Sequence, residues 1–184
     1  MNAASSLQPT LWRTCRVLAN RTRLRILALL IRDSAQTVSS VALRLPLALP
    51  VASQYLRALE ARGLLAVRRV GRRVEYRQWA SANGAHELVE PLRLALRRDA
   101  AAVESVFRLC TAFTHPRRIE VFRALKTQPQ TLSQLQSTTR ISALALWRHL
   151  RKLEARGFVT CQQGHYSAIS PTDALGRALA RLAG

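Results

Sequence analysis

One stretch of this chain occurs twice. The eleven residues YLRALEARGLL from Tyr55 return as HLRKLEARGFV from His149, 94 positions further on, with seven of the eleven identical. A repeat of this period constrains the fold more than any local propensity does, because each copy must be a supersecondary unit in its own right. In each copy two leucines stand three apart (Leu56 and Leu59; Leu150 and Leu153), on one face of a helix. Gly63 and Gly157 follow at the place where helices stop in a left-handed C-cap, and an apolar pair then starts a strand.

The match extends outward. TLWRTCRVLANRTRLRILALL from Thr10 aligns with SVFRLCTAFTHPRRIEVFRAL from Ser105 at an offset of 95, setting Arg13 over Arg108, Cys15 over Cys110 and Arg23 over Arg118. TVSSVALRL from Thr37 meets TLSQLQSTT from Thr131, and PLRLALRRDA from Pro91 resembles ALGRALARLA from Ala174. The 184 residues are therefore read as a tandem duplication, divided into residues 1–99 and 100–184, each able to bury a modest core.

Each copy has the same expected order. A first helix (about 8–19 and 101–113) precedes a second, with Asn20 as N-cap in one copy and Pro116 at the first helical position in the other. A short third helix starts at Thr37 or Thr131, and only Thr131, with Gln134 three residues on, has capping-box spacing. The repeated motif supplies the fourth helix. Two strands about a glycine turn follow, then a closing helix. The expected fold is mainly α with small two-stranded β-wings: two winged helix-turn-helix domains in tandem. From Pro91 to Phe113 nothing breaks the helical pattern, which predicts one rod of about 35 Å joining the copies.

The run LANRTRLRILALL, then TVSSVAL, then LPVASQYLRALEARGLLAVRRVGRRVEYRQ resembles an ArsR-type transcriptional regulator domain over roughly residues 10–100; the second copy resembles the family more loosely. The resemblance implies a fourth helix in the major groove of duplex DNA and a wing along the backbone. It also implies that first and last helices form a dimer interface. Here the last helix of one copy runs into the first of the next, so the duplication would fuse that dimer into one chain, an intramolecular pseudo-dimer. A homodimer of whole chains stays open.

Charge fits this reading. The chain carries 29 Lys and Arg against 10 Asp and Glu, a net +19, which attracts polyanions. Five arginines (Arg68, Arg69, Arg72, Arg73 and Arg77) crowd the first wing with only Glu75 opposed, and guanidinium groups there can clasp phosphates without reading sequence. Strand alternation sets Val74 and Tyr76 on the core side and Arg73, Glu75 and Arg77 on the other. On the fourth helix the resemblance points Leu49, Pro50, Ser53 and Gln54 at the groove, with Arg57 one turn on. Ser53 and Gln54 can hydrogen-bond base edges. Ala48 stands where the family has a serine cap. The second copy departs further. Its equivalent positions are Ala143, Leu144, Trp147 and Arg148, and its wing, CQQGHYS, holds no Lys or Arg. Trp147 suits a protein contact better than a groove, whereas Arg140, Arg148, Arg151 and Lys152 could reach phosphates.

Other chemistry finds little support. The paired cysteines of metal-sensing relatives are absent from TVSSVAL, and His86 with Glu90 lacks further ligands, so no metal or cofactor is expected. Cys15, Cys110 and Cys161 read as reduced core residues. His115 reads as a helix-flanking residue, His149 as half-buried and His165 as exposed. No catalytic motif or phosphate-cradling loop occurs, so an enzyme is not expected. No apolar run is long enough to span a membrane, and no signal peptide is read, which places the protein in the cytoplasm. The expected function is sequence-specific DNA binding in transcription regulation, led by the first domain. The alternative is a protein-interaction scaffold using an apolar groove face of Leu49, Leu144, Leu146 and Trp147.

Overall fold

The computed structural model describes residues 10–33, 35–71, 73–78, 87–97 and 101–184. Its first run of elements is α1 (Leu11–Leu18), α2 (Arg21–Arg32), β1 (Gln36–Thr37), α3 (Val38–Arg44), α4 (Leu49–Glu60), β2 (Ala66–Val70), β3 (Arg73–Arg77) and α5 (Val89–Leu96). The second repeats that order: α6 (Ala102–Cys110) with a single 3-10 turn (Thr111–Phe113), α7 (Pro116–Thr127), β4 (Gln130–Thr131), α8 (Leu132–Thr139), α9 (Ala143–Glu154), β5 (Val159–Gln162), β6 (His165–Ala168) and α10 (Ala174–Ala183). The boundary expected at residues 99 and 100 lies outside the described residues.

Local chemistry sets the helix starts. Asn20 Oδ1 accepts from the Arg23 amide at 3.0 Å, and Thr37 Oγ1 from the Ser40 amide at 3.2 Å. Thr131 and Gln134 form a full capping box, whereas Ala48 offers α4 no side-chain cap. His115 caps α7, its Nδ1 accepting from the Arg117 amide at 3.1 Å. Gly63 and Gly157 take φ of 65° and 76°, the left-handed stop expected after α4 and α9.

Each wing hairpin gains a third, two-residue strand at its β3 or β6 edge, giving the orders β1-β3-β2 and β4-β6-β5. Gln36 pairs with Tyr76, and Gln130 with Tyr166. That pairing welds the wing to the start of the third helix, and two residues are too few to show a period in the sequence.

The two runs share one continuous core. α1 packs on α6 and its 3-10 turn, α2 on α6, and the closing helices α5 and α10 on each other. First helix meets first helix and last meets last, as in a two-fold pair. At this seam Phe113 is fully buried, edge-on to Phe158 at 4.7 Å and to Phe122 at 5.2 Å. Arg21 spans the seam with two bonds to Glu104, at 2.7 and 2.8 Å, and lies 3.9 Å over the Phe107 ring.

The single rod from Pro91 to Phe113 does not form. α5 stops at Leu96, α6 starts at Ala102, and the two pack against each other. Leu92 and Leu96 on one helix, and Val106 and Cys110 on the other, are all buried. Folding back lets these stripes meet each other, α2 and α10, where a straight rod would leave them in water.

Candidate nucleic-acid interface

Helix α4 buries Ala52, Leu56 and Leu59 and turns its other side outward. Pro50 sits exposed in its first turn, Gln54 and Arg57 are exposed, and Ser53 is half-buried. Leu49 is 54% exposed beside them. Arg57 folds back on this face, its Nη2 donating to Ser53 Oγ at 3.0 Å. That bond holds the Ser53 oxygen and a guanidinium together, while Gln54 keeps both its amide groups free of any described partner. The helix is braced from behind by Arg23, whose Nη1 donates to the Val17 carbonyl at 3.1 Å while its guanidinium lies 5.1 Å from the Tyr55 ring.

The first wing projects beside it. Tyr76 is buried and Val67 packs against the core, so the base of the hairpin is fixed. The register sets Arg68 opposite Glu75 and Arg69 opposite Val74. Alternation thus puts Arg68, Arg73 and Arg77 on the outer face and Arg69 on the face of Tyr76 and Val74. Beyond Tyr76 the core ends, and Val74 is already 36% exposed. Arg68, Arg69, Arg73 and Arg77 are all exposed, on both faces of a two-stranded tip. None takes part in an ion pair with a described carboxylate. Arg72 lies outside the described residues. Unpaired guanidinium groups on a narrow projection can be reached by phosphates from either side at small desolvation cost.

The second copy presents different chemistry in the same scaffold. On α9, Leu144 is 62% and Trp147 47% exposed, and Arg151 lies 5.3 Å over the Trp147 ring. Arg148 is exposed. Leu146, expected on the apolar groove face, is fully buried with Leu150 and Leu153, because the intervals of four and three residues put all three on the core stripe. Cys15 and Cys110 are core residues, and burial raises both thiol pKa values, that of Cys110 to about 12. Cys161 is exposed on β5, contrary to the expected core position, since it lies toward the hairpin tip.

His149 is half-buried and His165 exposed, as expected; His86 lies outside the described residues. Among the described residues no group of three or more His, Cys, Asp or Glu is placed to hold a metal ion. Nor, among the described residues, is any helix long and apolar enough to cross a membrane.

Comparison with known proteins agrees with this architecture. Residues 20–66 match a family model described as winged helix-turn-helix DNA-binding, and residues 113–162 match one described as a helix-turn-helix domain. A search of curated proteins finds no match. The chain is a tandem winged helix-turn-helix protein, and domains of this kind point to a DNA-binding regulator.

Proposed function

We propose that this chain is an ArsR-like, non-enzymatic transcription regulator that binds a specific duplex DNA sequence through its first domain, residues 1–99. Helix α4 enters the major groove with Pro50 leading, Ser53 and Gln54 meet base edges, and Arg57 steadies Ser53 or takes a flanking phosphate. Arg68, Arg69, Arg72 and Arg73 of the wing clasp the backbone. Residues 100–184 act as the built-in dimer partner, so one chain is the binding unit, working in the cytoplasm. The observation that carries this reading is the exposed, unpaired arginine set on the first wing, together with a fourth helix that presents Ser53, Gln54 and Arg57 outward next to Leu49 and Pro50.

A scaffold role has less support. The apolar face it needs is smaller than the sequence promised, since Leu146 is buried, and a docking module has no use for the wing arginines. Selection from a pool of random duplexes tests the proposal. A preferred sequence should emerge, and Gln54→Ala should relax it at one position by ~1–3 kcal/mol. Arg68→Ala/Arg69→Ala should weaken all sequences alike. Recovery of an unenriched pool contradicts it.

A further inference from the structure

The two copies carry their basic residues in different places. A cleft of about 480 Å³ opens in the second copy between the start of α7, the turn from α8 to α9 and the side of α9. Arg117, Arg140 and Arg148 line it together with His115 and His149, whose rings are 5.1 Å apart. At the offsets of the repeat, these three arginines stand over Thr22, Pro46 and Gln54 of the first copy, none of them charged. The first wing has a cluster of arginines and the second has none; at this shoulder the pattern is reversed. Arg117 bonds Glu120 at 2.8 Å. Arg140 and Arg148 have no described carboxylate partner, and no acid lines the cleft. Arg140 is held at φ 54°, the left-handed region where glycine is the usual residue, so a guanidinium stands at this turn against backbone preference.

We propose that this cleft is a phosphate-binding site: Arg140 and Arg148, flanked by Arg117, take one phosphate group. Two sources supply that chemistry, a backbone phosphate of the duplex or a free phosphorylated small molecule. The first source rests on the DNA reading above; the second does not. Arg140 and Arg148 each bring five donors free of a described carboxylate, and Arg117 adds the donors its bond to Glu120 leaves over, a set that suits the several oxygens of a tetrahedral oxyanion better than a carboxylate.

The test uses the full chain and the variant Arg140→Gly/Arg148→Gln, with two probes. Inorganic phosphate is titrated while the ring proton resonances of His115 and His149 are followed. Binding to a random-sequence duplex is measured across a range of salt. If phosphate comes from DNA, the double variant should flatten the log–log salt slope by up to ~2. If it is a free ligand, inorganic phosphate should shift the two histidines in the wild type and not in the variant, with the DNA slope unchanged. Both resonances unmoved, together with an unchanged slope, overturns the site. Should the double variant melt early, Arg148→Glu alone reads the same way. Wing variants that bind like wild type would remove the first-domain reading while leaving this result standing.

Discussion

Substituting Phe113→Ala should destabilise both halves of the chain at once. The ring is fully buried at the seam, with two edge-on aromatic partners at 4.7 and 5.2 Å, and its turn packs on α1 of the first copy. Truncating a buried Phe costs ~3–5 kcal/mol, and the lost ring pairs favour the upper part of that range, so ~4 kcal/mol is expected. With a urea dependence of ~2 kcal/mol per molar, the midpoint should fall by about 2 M. Two tryptophans report separately: Trp12 in α1 and Trp147 in α9. With Trp79→Phe as background, Trp147→Phe leaves the first-copy reporter and Trp12→Phe the second. Because the core is continuous across the seam, both signals should shift together. A shift of the Trp147 signal alone, with Trp12 unmoved, would refute a shared core and leave two independent domains.

Three further outcomes follow from particular residues. Burial, then His115, Arg118 and Arg117, lowers the His149 pKa to about 4. The unfolded chain takes that proton near pH 6.5 and the folded chain refuses it until about pH 4, so stability should fall as pH drops through this window. Taken at face value a shift of that size is worth ~3 kcal/mol; solvent screening at a half-buried ring leaves about 1 kcal/mol. His149→Tyr, the residue found at Tyr55, should flatten stability against pH between 4 and 6.5 in denaturant titrations. A thiol reagent should label only Cys161 in the native protein and all three cysteines in urea, counted by mass. Arg140→Gly should leave thermal stability unchanged or raised by up to ~1 kcal/mol, since it relieves a left-handed residue while freeing the unfolded chain.

Much of the architecture was legible because duplication wrote it twice. Gly63 and Gly157, the caps at Asn20 and Thr131, and the leucines of α4 and α9 each stand in for a backbone requirement that residue type alone reveals. The missed features depend on partners distant in the chain. Nothing between Pro91 and Phe113 marks the fold-back, as no glycine or proline interrupts it and the apolar stripe runs through; only the presence of α2 and α10 makes turning favourable. Strands β1 and β4 are invisible for want of length. Cys161 looked like core because its exposure depends on where the hairpin leaves the body. Leu146 belongs to the core stripe that its spacing to Leu150 and Leu153 already implies. At the interface, the wing arginines are evident from composition. The cleft at Arg117 and Arg140 requires knowing that the start of α7 lies beside the turn before α9, although setting the copies in register already places these residues over Thr22 and Pro46.

The salt dependence of binding to duplex DNA, wild type against Arg68→Ala/Arg69→Ala/Arg73→Ala, tests the central claim most directly. All three side chains are exposed and unpaired, so their loss should spare the fold. The account predicts a wild-type log–log slope of several units, flattened by up to ~3 in the variant as each lost phosphate contact removes about 0.9. Equal slopes, or no salt-dependent binding in either protein, would contradict a first wing that holds the DNA backbone.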